Sequence, residues 1–268
     1  MSFKSKVKDL TPPFLLRKII GLFYGWHGSY QSWEEASQLC SGYNSEMILE
    51  KVKSATLNVK QGRFPFERDS VNFSEILYSY PLLAAILWVA TQKENKVNIL
   101  DFGGSLGSSF YQNKLFLESL RDFNWCIVEQ HHFVDLGKAQ FAEKKLHYFY
   151  TIEECLQTYP INLLILSSVL QYLEDPFRIL EEIFRSNVEY ILIDRTTFVP
   201  EGKDKLTLQK VPKKIYKAKY PCWFFNENKF VNFFLPGYDL IYEFEVDEHI
   251  NIPSKMKGFL FRKKKQLQ

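Results

Sequence analysis

VNILDFGGSLGSS, residues 97–109, is an apolar run that closes on a carboxylate, Asp101, with glycines beginning two residues later. Val97, Ile99 and Leu100 suit a buried strand. Gly103, Gly104 and Gly107 permit a tight turn that sets main-chain N–H groups against a ligand at the start of the next helix. A dinucleotide fingerprint of the G-x-G-x-x-G type starting at Gly103 needs glycines where Ser105 and Ser108 stand. Asp101 is also poorly placed for a pyrophosphate, because like charges repel, and well placed for the ammonium of an amino-acid moiety.

S-adenosylmethionine carries such an ammonium, and a second feature fits its ribose. WCIVE, residues 125–129, reads as a short apolar strand ending in Glu129. An acidic residue there, about 20 residues beyond the loop, is where a ribose diol is held by two hydroxyl hydrogen bonds. An ordinary strand-to-helix turn is the alternative reading of the glycine loop taken alone, and Glu129 weighs against it.

The chain has 268 residues, of which 46% are apolar, enough for one large domain or a domain with an appendage. A net charge of +3 argues against a nucleic-acid-binding face. Cys40, Cys126, Cys155 and Cys222 are scattered without a C-x-x-C pair, so neither a metal site nor a disulfide framework is expected, and a cytoplasmic, reducing setting fits. The apolar run from Pro81 to Ala90 is too short to span a bilayer. Two basic ends remain, Lys4 to Lys18 and Lys255 to Lys265. The first, mixed with Phe14, Leu15 and Ile19, suits peripheral contact with an anionic membrane, although solvated ends are the commoner meaning of such clusters.

Residues 1–95 read as a helical extension, with a helix from Ser32 to about Val59 opened by a Ser32–Glu35 capping box, and another over Phe73 to Ala90 kinked or split by Pro81. Residues 96–268 then alternate strands and helices, with an insertion at about 196–225. LHYFY (146–150) and INLLILSS (161–168) are the next strands, with Thr151 and Glu154 capping a helix between them. Asp175 and Pro176 open another helix, YILID closes a fifth strand at Asp194, and Asn226 caps a helix through Phe234. YDLIYEFEV and GFLFRKK form an antiparallel pair. The expected fold class is α/β, a doubly wound Rossmann-like sheet with an antiparallel edge.

In such sheets ligands sit beyond the carboxyl ends of the strands. That rule selects Asp101 with its loop, Glu129 with Gln130, Tyr150 with Thr151, Ser167 with Ser168, and Asp194 with Arg195.

On these blocks the chain resembles the class I S-adenosylmethionine-dependent methyltransferases, and more narrowly a family of predicted bacterial ones linked to surface-polysaccharide biosynthesis. The blocks are SWEEA with SGYNSE, FERDSV, PLLAAILW, DFGGSLGSS, VEQHHFV, LSSVLQYLEDP, IDRTTF and YPCWFF, spread over residues 25–245. The resemblance implies strand order 3-2-1-4-5-7-6 and a methyl-donor cofactor. It places the first cofactor motif on Asp101, Gly103, Ser105 and Gly107, with Ser105 where many relatives have glycine, and the second on Glu129. Ser167 and Ser168 fall near the methionine tail, and Gln171 stands where relatives often carry histidine.

Methyl transfer at a sulfonium chiefly requires alignment of donor and acceptor and exclusion of water. If the acceptor is a hydroxyl, a base must take its proton; Asp194 is the leading candidate, with Arg195 orienting an anionic acceptor or Asp194 itself. A structural ion pair is the bland reading of those two. His131 and His132 are rival bases, more simply placed beside adenine or in solvent. FERDS reads as a helix cap or, by resemblance, a lid, and Tyr216, Tyr220, Trp223, Phe224 and Phe225 either cover an acceptor pocket or pack on the sheet. The expected activity is methyl transfer to a small acceptor, a saccharide or its precursor. A catalytically idle partner subunit of a polysaccharide assembly complex is the alternative.

Overall fold

The computed structural model describes residues 21, 23–40, 46–212 and 218–265. The membrane reading of the first basic cluster, and Tyr216, lie outside the described residues. β4 (Lys96–Phe102), β5 (Asp122–Val128), β6 (Leu146–Phe149), β7 (Leu163–Ser167) and β8 (Tyr190–Val199) are mutually parallel. β12 (Lys255–Lys263) joins β8 antiparallel, and β11 (Tyr238–Val246) joins β12 antiparallel. The order across the sheet is β6-β5-β4-β7-β8-β12-β11, which is 3-2-1-4-5-7-6 when these seven strands are counted along the chain.

The nearly unbroken apolar strands follow from burial on both faces. Val97, Ile99, Trp125, Ile127, Leu163, Ile165 and Leu192 face one core, shared with α2 (Glu46–Lys60), α3 (Tyr80–Thr91), α4 (Ser108–Leu117) and α5 (His131–Leu136). Their neighbours Leu100, Cys126, Leu164, Leu166, Ile191 and Ile193 face the other. That second core is shared with α6 (Ile152–Thr158), α7 (Pro176–Arg185) and α8 (Glu227–Phe234). Each fully buried Leu or Ile contributes roughly 1.5–3 kcal/mol, so the two cores fix the positions of the loops at the strand ends.

The segment before β4 is not wholly helical. β1 (Gly25–Tyr30) pairs with β9 (Lys205–Lys210), β9 with β10 (Lys219–Asn226), and the end of β10 runs parallel to the end of β8. The insertion after Asp194 is therefore a hairpin that recruits a strand from the amino-terminal part. The expected helix from Ser32 is α1 (Trp33–Ser37), capped by Ser32 Oγ accepting from Glu35 N, with α2 as a separate element. Phe73 closes β3 (Val71–Phe73), which pairs with β2 (Phe66–Arg68), and α3 begins only at Tyr80. Pro81 lies in the first turn of α3, where its missing N–H breaks no intrahelical bond, so it starts the helix and does not kink it. β8 continues past Asp194 to Val199, bent at Arg195, whose φ is +49°.

The carboxy-terminal basic cluster is tied into this sheet edge. Lys257 is buried between Glu227 and Glu243, Lys255 pairs with Glu245, and Lys263 and Lys264 donate to Asn187 Oδ1 and the Leu235 carbonyl. Among the described residues no helix is long and apolar enough to cross a membrane.

Candidate functional site

At the carboxyl end of β4 the chain turns through residues in the left-handed region: Gly103 (φ +74°), Ser105 (φ +55°) and Gly107 (φ +103°), which precedes α4. A Cβ on Gly103 would lie 2.5 Å from Val169 Cγ2, and one on Gly104 would lie 2.5 Å from Asp101 Oδ2. Small size is thus required at both positions. Asp101 is almost fully buried behind this turn and accepts from Trp125 Nε1 at 3.1 Å. Burial pushes its carboxyl up to about 7 against the Trp125 hydrogen bond, and the charges of Glu129 and Asp194 add to the rise.

Glu129 follows β5. Its Oε2 accepts from Gln130 N at 2.6 Å, and its carboxylate is also bonded by the backbone of Ser105. Burial raises it to about 7, opposed by those two backbone donors. The glycine turn and the acid after the second strand therefore touch each other. Both line one cavity of about 1170 Å³, with Asp101, Gln130, His131, Tyr150, Ser167, Ser168 and Arg195. Among the described residues no side chain plugs the space between them. Ligand sites usually occupy 300–1,000 Å³, so this cavity has room for a nucleoside cofactor and a small second molecule.

On the β7–β8 side, Ser167 Oγ donates to Asp194 Oδ2 at 2.7 Å, and Ser168 (φ +55°) donates its N–H to the Asp194 carbonyl. Buried Gln171 donates through Nε2 to Ser168 Oγ at 3.3 Å and to the Arg195 carbonyl at 3.0 Å. Gln171 thus braces both left-handed turns. Arg195 Nη2 lies 3.5 Å from Glu248 and 3.8 Å from Asp69. Burial works against its charge, but Asp69, Glu248 and Asp194 hold it protonated.

The opposite wall comes from the β2–β3 hairpin and the connection between β11 and β12. Asp69 (φ +52°) and Ser70 (φ +62°) form the hairpin tip, and Glu67 accepts from the Ser108 hydroxyl at the start of α4. Burial raises Glu67 to about 7 despite the Ser108 hydrogen bond. Of the eight non-glycine residues with positive φ among the described residues, five line this cavity: Asp69, Ser70, Ser105, Ser168 and Arg195. Backbone strain gathered at one cleft is characteristic of a functional site.

Three expected site residues stand apart from the cavity wall. Gly107 shapes the turn into α4 without lining it. Thr151 Oγ1 accepts from Glu154 N as a helix cap, so it is committed to α6. Asp194 is buried beneath Ser167 and does not reach the cavity. Arg195 reaches it, but two carboxylates already satisfy its charge. His131 lines the cavity and stacks on Tyr150 at 4.8 Å, whereas His132 does not line it. Of the aromatic residues after β8, Tyr220 faces the cavity, Trp223 stacks on Trp33, and Phe224 and Phe225 are core. Tyr172, within LSSVLQYLEDP, also lines it, as do Glu248, His249, Asn251 and Gln209, none of which has a local motif by which sequence reading finds it. Among the described residues no group of three or more His, Cys, Asp or Glu side chains is placed to hold a metal ion.

No protein-family model matches the chain, and no curated protein matches it. Solved structures similar to it include a SAM-dependent methyltransferase from Methanosarcina mazei, 15% identical with a TM-score of 0.48 over 70% of this chain and 99% of that one. Another is the 1,6-didemethyltoxoflavin-N1-methyltransferase of Burkholderia thailandensis, 11% identical with a TM-score of 0.47 over 90% and 94%. A third is the magnesium protoporphyrin IX methyltransferase of Synechocystis, 9% identical with a TM-score of 0.46 over 80% and 97%. The strand order stands on the pairings themselves, and the chemistry of the cleft on its own side chains.

Proposed function

We propose that this chain is an S-adenosylmethionine-dependent methyltransferase acting on a small acceptor, a hydroxyl of a saccharide or saccharide precursor. The observation that carries the cofactor assignment is the contact between the Ser105 backbone and the Glu129 carboxylate on one cavity wall, with Asp101 beside it. Glu129 has acceptors for a ribose diol, Asp101 a carboxylate for an ammonium, and the 103–105 turn leaves room for the methionyl chain. Gln130, His131 and Tyr150 continue the wall beyond Glu129, where adenine would lie, and Ser167 and Ser168 line the same cavity, where the methionine end would lie. When bound, the cofactor supplies a methyl group on a sulfonium. The saccharide acceptor rests on the family resemblance and on the size of the cavity.

Asp194 does not touch an acceptor in this geometry. Its contact with the cavity runs through Ser167, so we assign it as a positioning residue that orients the Ser167 hydroxyl, which itself lines the cavity. Calorimetry with S-adenosylhomocysteine tests the cofactor assignment: wild type binds, and Glu129→Ala combined with Gly103→Val does not. No binding by wild type overturns it. The walled-off position of Asp194 favours the second reading, a cofactor-binding partner subunit without turnover. Labelled methyl transfer to glycan fractions, reduced in kcat by Asp194→Asn with S-adenosylhomocysteine affinity unchanged, supports the enzyme. Tight cofactor binding with no transfer to any fraction supports the partner.

A further inference from the structure

Three arginine or lysine side chains line the cavity among the described residues: Arg68, Arg195 and Lys210. Arg195 is committed to Asp69 and Glu248. Lys210 sits on the accessory sheet, opposite Gly25 at the end of β9. Arg68 is different. It is half-buried on β2, and its guanidinium has no ion pair or side-chain hydrogen bond among the described residues, despite acids on either side of it in the chain. The preceding residue, Glu67, is fastened to Ser108, the residue after Gly107, so the hairpin is anchored at the helix that opens from the glycine turn.

A guanidinium partly removed from water without a partner is costly unless an anion completes it, and its planar fork matches a carboxylate with two parallel hydrogen bonds. On the methyl-donor reading above, on which this inference rests, the donor's amino-acid end lies at the glycine turn and presents both an ammonium and a carboxylate. Asp101 answers the first. We infer that Arg68 holds the carboxylate of the donor's methionyl group, and that the cleft thereby selects donors that retain it.

The test compares S-adenosylhomocysteine with its decarboxylated analogue, which lacks only that carboxylate, by calorimetry. Wild type is expected to prefer the complete ligand. Arg68→Gln should weaken S-adenosylhomocysteine about 10- to 100-fold, leave the affinity for the decarboxylated analogue unchanged, and leave the thermal midpoint of the free protein unchanged. Arg68→Lys should recover part of the loss, and Lys210→Gln should show none. Equal weakening of both ligands by Arg68→Gln, or no weakening of either, overturns the role of Arg68 while the cofactor assignment stands. Failure of wild type to bind S-adenosylhomocysteine at all overturns both.

Discussion

Asp69 Oδ2, at the tip of the β2–β3 hairpin, lies 3.8 Å from Arg195 Nη2 in the bent strand β8, across the mouth of the cavity. Glu248 approaches the same nitrogen at 3.5 Å from the β11–β12 connection, so one guanidinium joins three segments distant in sequence. Asp69 is largely exposed and Arg195 is not. Either acid alone is therefore replaceable: Asp69→Asn and Glu248→Gln should each cost about 0–1 kcal/mol. The double variant leaves a mostly buried cation with no ion-pair partner and only the charge of Asp194 to offset it, and should cost about 2 kcal/mol or more, exceeding the sum. Urea unfolding of the four proteins measures this, and strict additivity would show that Arg195 is not shared.

Gly104→Ala tests the cofactor turn without a change in charge. The new Cβ would fall 2.5 Å from Asp101 Oδ2, the oxygen that accepts from Trp125 Nε1, so the carboxylate must move. Binding of S-adenosylhomocysteine is expected to fall about tenfold or more through loss of the ammonium partner, a charge-assisted hydrogen bond being worth about 1.5–3 kcal/mol. Unchanged affinity in calorimetry would mean that Asp101 does not face the ligand.

Ser105 is a separate case. Its φ of +55° is the left-handed conformation, which glycine enters without strain and serine does not. Ser105→Gly removes that strain but gives the unfolded chain more freedom, two effects of about 1 kcal/mol that oppose each other. Stability should change by less than about 1 kcal/mol, with S-adenosylhomocysteine affinity retained, because Glu129 meets the backbone of Ser105. A large loss of binding would instead assign a role to the hydroxyl.

The strand from Val97 to Asp101 and its turn were legible because periodicity, glycine placement and a terminal carboxylate coincide within thirteen residues. Glu129 was legible for the same local reason. The hairpin of Glu67 to Ser70 was not: its strands are three residues each, and its left-handed tip is built from Asp69 and Ser70 with no glycine to signal it. β1 escaped notice because its partner Lys210 lies far along the chain from Gly25, and β10 because Pro221 disguises a strand. Thr151 satisfied two patterns, a strand-end position and a capping box, and the cap claimed its hydroxyl. Asp194 was correctly placed after the apolar run of β8, but whether its carboxylate meets solvent depends on Ser167, 27 residues away.

The buried acids also make the protein sensitive to pH. Glu67, Asp101 and Glu129 each rise to about 7 through burial, from ordinary values of 4.5, 3.8 and 4.5. A carboxyl with a native value above its unfolded one takes up a proton on folding. Its contribution is fully present below its unfolded value and is lost as pH climbs through about 7. Glu67→Gln isolates one such group, since the amide keeps an oxygen for the Ser108 hydroxyl and carries no charge at any pH. Near pH 5 the variant should match wild type closely. Near pH 8, where wild type must bury a carboxylate, the variant should be the more stable. Thermal unfolding of both proteins at the two pH values reads the difference directly. A gap that stays constant with pH would show that Glu67 is already ionised in the folded protein near pH 5, held by Ser108 and the Ser70 backbone strongly enough to outweigh its burial.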